Sequence, residues 1–99
     1  MKKKLYISLP ITGIDAEKVK TYAELVEMEY NKRGYDVINP LKVCPEEGMP
    51  YEYYMGRDIE ALLGCDCIML CKGWKNSKGC MAEFEVARIY GIDIMFCEL

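Results

Sequence analysis

Apolar and polar positions along the chain fall into blocks that switch between a strand period and a helix period. Lys4 to Leu9 (KLYISL) is a short apolar run ended by Pro10 and the loop Ile11-Thr12-Gly13-Ile14, which predicts a first strand. Asp15 is placed to cap a helix from Ala16 to about Lys32. Its inner stripe is Val19, Tyr22, Ala23, Val26 and Tyr30, with Lys18, Lys20, Glu24 and Glu27 facing outward and Gly34 ending it. Tyr35 to Ile38 predicts a second strand, and Asn39-Pro40 opens a loop through Gly48. Pro50 suits the first turn of a helix running to about Gly64. Cys67 to Cys71 (CIMLC) carries no charge, as a parallel strand covered on both faces does. The loop from Lys72 then delivers Ser77, a good N-cap, to a helix of about fourteen residues. Gly91 breaks that pattern, and Ile92 to Cys97 is the last strand. Strands alternating with helices predict an α/β fold, a three-layer parallel sheet of about four strands with helices on both faces, in one domain over residues 1–99.

In such a unit ligands sit between the carboxyl end of a strand and the amino end of the next helix. Two carboxylates near that edge stand out. At roughly 100° per residue, the positions within about 60° of Glu83 are Gly79, Cys80, Val86, Ala87 and Tyr90, none of them charged. The opposite side holds Lys78, Glu85 and Arg88, an ordinary solvated face. Glu83 therefore points at the sheet or at a cavity beside it. On the preceding helix Asp58 is centred among Tyr51, Tyr54, Met55, Ala61, Leu62 and Cys65, while Glu52, Gly56 and Glu60 lie opposite. Each carboxylate alone admits a structural reading: Glu83 as a rim residue or bonded to backbone, Asp58 as the partner of Arg57 or of a backbone amide. The same placement on two separate helices points instead to a carboxylate pair in a cleft, the usual equipment for cleaving a glycosidic bond.

Composition narrows the chemistry. The chain has no histidine, which removes Ser-His, Cys-His and histidine-base mechanisms, so carboxylates, tyrosines, cysteines or lysines must carry any reaction. Six cysteines form no C-x-x-C pair, and without histidine a zinc site needs a cluster of thiolates. They read as buried, reduced, small hydrophobes, with no metal and no cofactor called for. A net charge of −3 argues against nucleic acid as a partner. The apolar run after Lys2-Lys3-Lys4 is too short for a signal peptide and no run reaches membrane length, so a cytoplasmic protein is expected.

Several stretches together carry a family resemblance. They are Leu5-Tyr6-Ile7-Ser8-Leu9-Pro10-Ile11-Thr12-Gly13, Gly34-Tyr35-Asp36-Val37-Ile38-Asn39-Pro40, Arg57-Asp58-Ile59, Gly73-Trp74-Lys75-Asn76-Ser77-Lys78-Gly79, and Glu83 with Ala87. The chain resembles the nucleoside 2-deoxyribosyltransferase superfamily over almost its whole length, most closely its small DUF4406-type branch. A sister branch is the 2'-deoxynucleoside 5'-phosphate N-hydrolases. Ser77-x-Gly79 followed by Glu83 and Ala87 is the most specific part.

The resemblance implies a flavodoxin- or Rossmann-like sheet, a nucleoside or 5'-monophosphate substrate, and a retaining mechanism. Glu83 takes the place of the nucleophile, Asp58 of the residue that orients or protonates the substrate, and Tyr6 of the tyrosine that bonds the nucleophile. Ser8 and Ser77 are expected at a 5'-phosphate, and Pro10, Gly13, Asn39, Asn76 and Gly79 along the substrate. Trp74 is expected either to stack a base or to pack at the surface. Leu9 stands where the family usually has glycine, with the expectation that it crowds the sugar or phosphate. The relatives are oligomers, and the aromatics Tyr51, Tyr53, Tyr54 and Trp74 are expected to bury against a second copy in a homodimer or larger assembly. The alternative is a nucleotide-binding or sensing module without chemistry. A flavodoxin-like electron carrier is the weaker third, because no Ser/Thr/Gly run follows the first strand.

Overall fold

The computed structural model describes all 99 residues. Strands β1 (Lys4–Ser8), β2 (Asp36–Ile38), β3 (Cys67–Leu70) and β4 (Asp93–Phe96) form one sheet in the order β2-β1-β3-β4, every pair parallel. Its helices are α1 (Ala16–Lys32), the short α2 (Pro40–Val43), α3 (Tyr51–Leu63) and α4 (Lys78–Tyr90). This is the doubly wound, Rossmann-like arrangement. Chain direction across the sheet reverses between β1 and β3, so their carboxyl ends bound the crevice such sheets use for ligands. No helix is long and apolar enough to cross a membrane.

The pleat sorts β1 by parity. Leu5, Ile7 and Leu9 join Val19, Ala23, Val26 and Tyr30 of α1, together with Cys67, Met69 and Cys71, in one core. Tyr6 belongs to a second core on the other face, with Leu62 of α3, Ile68, Leu70 and Ala87 of α4. Alternate residues of one strand therefore serve two different layers.

The strands are each a residue or two shorter than their apolar runs, Pro50 is the N-cap of α3 and not in its first turn, and three further points differ from the sequence reading. The stretch after Asn39 is not all loop: Asn39 Oδ1 accepts from Leu41 N at 3.0 Å and Pro40 opens the helical turn of α2. Asp15 makes no side-chain cap, and α1 starts on its carbonyl, which accepts from Val19 N at 3.1 Å. The loop before Ser77 contains a 3₁₀ turn, Trp74–Asn76. Gly73 precedes that turn with φ +89°, and a Cβ there would stand 3.3 Å from Pro10 Cγ, so glycine lets the β1 and β3 loops touch.

Candidate active site

Tyr6 and Ser8, two apart on β1, both face α4. Ser77 caps that helix, its Oγ accepting from Cys80 N at 3.2 Å, and so fixes where the helix starts and which way Glu83 turns. Glu83 is 5% exposed. Both of its oxygens are held: Tyr6 Oη donates to Oε2 and Ser8 Oγ to Oε1, each at 2.7 Å. These charge-assisted bonds are the strong kind. Opposite them on α4, Glu85 pairs with Arg88 at 2.8 Å in solvent, as the helical wheel requires. Tyr90, which the wheel put on the inner side, is exposed.

Burial dominates the electrostatics. It raises the Glu83 carboxyl from the ordinary 4.5 to about 7, against the hydrogen bonds of Tyr6 and Ser8, which lower it, and with a smaller push from the charge of Asp58. Asp58 is raised to about 6 by burial. Tyr6 is driven far above the usual phenol value by burial and then by the charge of Glu83, so it remains a donor. Arg57 does not neutralise Asp58, because it pairs with Glu60 at 2.9 Å. Asp58 thus sits half-buried and without an ion pair, on an α3 stripe with Tyr51, Met55 and Leu62.

The other residues singled out by sequence lie as follows. Ser77 and Gly79 form the start of α4; a Cβ on Gly79 would meet Tyr51 Oη at 3.5 Å, Met55 Sδ at 3.7 Å and Ser77 Oγ at 3.9 Å. Tyr51 and Met55 share the Asp58 face of α3 at the spacing i, i+4, i+7. Pro10 touches Gly73, and Gly13 turns with φ +81° in open space. Asn76 ends the 3₁₀ turn and is exposed. Asn39 is buried with both ends of its amide occupied, Oδ1 by Leu41 N and Nδ2 by Glu27 Oε1 at 3.1 Å. Trp74 packs on Phe84 and Phe96, with ring centroids 5.1 and 6.2 Å away.

Leu9 does not crowd the carboxylates. Its side chain is buried in the α1 core, on the face of β1 opposite Ser8. A cavity of about 250 Å³ lies on that same side, lined by Leu9, Pro10, Ile14, Lys18, Val19, Tyr22 and Lys72. It contains neither Glu83 nor Asp58. All six cysteines are free, and burial pushes the thiols of Cys65, Cys67, Cys71 and Cys80 up, which keeps them protonated. No three acidic or cysteine side chains cluster as a metal site would require.

Residues 3–96 match the family described as Domain of unknown function (DUF4406). The chain belongs to the DUF4406 family. None of the curated proteins matches it by sequence. Among solved structures it is similar to the 2-deoxyribosyltransferase of the psychrotolerant bacterium Bacillus psychrosaccharolyticus, with a TM-score of 0.72 and 21% identity over 94% of this chain and 70% of that one. The likeness is one of fold: this DUF4406 domain has the nucleoside 2-deoxyribosyltransferase-like architecture.

Proposed function

We propose that the protein breaks the N-glycosidic bond of a (deoxy)nucleoside or its 5'-monophosphate, with Glu83 as nucleophile. The observation that carries this reading is a carboxylate buried at a sheet crevice, unpaired with any cation and held by two hydroxyl donors. An ion pair would suit a structural role better. Two neutral donors fix the carboxylate's direction while leaving its charge uncompensated and its pKa high. The similar fold of a 2-deoxyribosyltransferase lends further support.

In the reaction a Glu83 oxygen attacks the anomeric carbon as the bond to the base nitrogen breaks, the electron pair leaving with the base, which takes up a proton. A glycosyl ester forms. Attack by water, or by a second base, at the same carbon returns the carboxylate. Tyr6 and Ser8 keep the carboxylate oriented. Asp58, raised by burial and without an ion pair, holds the sugar hydroxyls or gives the leaving base its proton. Ser8 directs its proton to Glu83, so a 5'-phosphate would rely on Ser77 and the first amides of α4.

One observation favours a second reading, a binding or sensing module without chemistry. Glu83 is satisfied at both oxygens and only 5% exposed, as a structural carboxylate can be. Release of free base from deoxynucleosides and their 5'-monophosphates, followed by chromatography, separates the two. Glu83→Gln should lower release by orders of magnitude while binding persists, and Glu85→Gln should match wild type. Binding without any release by wild-type protein would establish the module.

A further inference from the structure

We infer that Cys71 and Cys97 form an oxidation site, a thiol pair that closes to a disulfide when the protein meets a peroxide and so ties the edge strand of the sheet to its neighbour. The inference is independent of the N-glycoside reading above. It starts from the register of β3 and β4. Leu70 stands opposite Phe96, and Cys97 N donates to Leu70 O at 2.9 Å, so the ladder continues one residue past both strands and sets Cys71 beside Cys97. Neighbouring strands lie about 4.8 Å apart, within the roughly 4.4–6.8 Å that a disulfide spans between Cα atoms. Both side chains lie on the α1 side of the sheet: Cys71 belongs to that core and Cys97 packs against it. The Tyr22 hydroxyl of α1 donates to Cys97 Sγ at 3.6 Å, which holds that sulfur over the same layer. None of the other cysteines has such a partner. Cys67 stands opposite Asp93, Cys65 is in the core on the other face, Cys80 is on α4, and Cys44 ends α2.

The two thiols differ in the way such a site requires. Cys97 is half-buried and Cys71 fully buried, so oxidation begins at Cys97. The Cys97 sulfur attacks one peroxide oxygen, the O–O bond breaks, and the departing hydroxide takes the thiol proton and leaves as water. Cys97 is then a sulfenic acid. The Cys71 sulfur attacks the Cys97 sulfur, the S–O bond breaks, and the second hydroxide takes the Cys71 proton. The two thiols have together given two electrons to one peroxide. Burial first, and then Cys97 beside it, raises the Cys71 thiol, so Cys71 does not start the reaction. Its closeness to the sulfenic acid supplies the rate that ionisation does not. The same raised thiol is a slow leaving group, which makes the bridge resistant to reduction. Closure bears on the whole sheet, because β4 is an edge strand paired only with β3. The enclosed segment, residues 72–96, carries Ser77 and Glu83.

The test treats the reduced, native protein at micromolar concentration with a small molar excess of hydrogen peroxide. Free thiols counted after denaturation should fall by two from the six present. Mass mapping without reductant should recover the peptides of Cys71 and Cys97 joined. The melting temperature should rise by about 10 °C, as closing a loop of this length requires, and return on addition of dithiothreitol. Cys97→Ser should abolish the bridge, whereas Cys44→Ser, at the other half-buried cysteine, should keep it. A thiol count that does not change, a bridge mapped to any other pair, or one that forms only in denatured protein overturns the inference. So does an unchanged or lower melting temperature, since the native spacing would then not accommodate the bond. The wild-type map decides the matter even where a variant folds poorly.

Discussion

Glu83 makes the folded state sensitive to pH in the direction opposite to most carboxylates. Its folded pKa of about 7 lies above the ordinary 4.5, so the folded chain holds a proton there that the unfolded chain has lost. Stability from this group is complete below about 4.5, falls as pH rises, and is gone above about 7. By linkage the amount is roughly 3 kcal/mol. Glu83→Gln removes the dependence. The melting temperature of wild type relative to that variant should therefore rise as pH drops from 8 to 5, measured calorimetrically. A gap that stays constant over this range would mean Glu83 is solvated or paired. Glu85, held below the ordinary range by Arg88, should show no such effect on substitution.

At the scale of the element, β1 is the divider on which the site depends. Its even positions, Tyr6 and Ser8, hold the carboxylate, and its odd positions, Leu5 and Ile7, with Leu9 just past its end, fill the α1 core. Leu9→Ala should consequently cost about 2–4 kcal/mol of stability by opening a void against α1. It should leave base release per folded molecule unchanged, because the side chain is on the other face. Denaturant titration and the chromatographic assay read the two separately. Faster turnover in Leu9→Ala would restore the idea that this leucine obstructs the sugar. The α4 start belongs to the same scale: Ser77 was legible as a cap because a hydroxyl before a helical period has one favoured use. Asp15 looked equivalent and caps nothing with its side chain, since the alternative bond, Val19 N to its carbonyl, suffices.

For the whole molecule, the aromatics expected at a contact with a second copy are mostly engaged within the chain. Tyr54 Oη bonds Glu46 O at 2.7 Å and Met49 N at 3.1 Å, Tyr53 packs edge-on against Tyr54, and Trp74 lies on Phe84 and Phe96. Tyr51 stays exposed, and so do other large apolar groups, among them Met81, Ile89 and Tyr90 of α4, and Phe96. Association that covers Ile89, 64% exposed, is the expectation, and light scattering at micromolar concentration should give a mass at least twice that of the chain. Ile89→Lys should shift it toward the monomer, whereas Tyr53→Ala should not. A clean wild-type monomer would leave these groups without a partner.

The sequence by itself determined the order of strands and helices, the inward turn of Glu83 and Asp58, and the solvated pairing of Glu85 with Arg88. These follow from periodicity and from contacts within about four residues, which local chemistry specifies. The tertiary structure decided the rest. Which strand lies beside which depends on crossovers that no local pattern encodes, and the two faces of β1 acquire different tasks only once α1 and α4 have taken opposite sides. The bonds from Tyr6 and Ser8 to Glu83 join residues 77 and 75 positions apart. Arg57, adjacent to Asp58 in sequence, turns to Glu60 because neighbours along a helix point about 100° apart. The meeting of Tyr51 with Gly79 likewise exists only because α3 and α4 pack side by side over the sheet, and that packing is a property of the whole core.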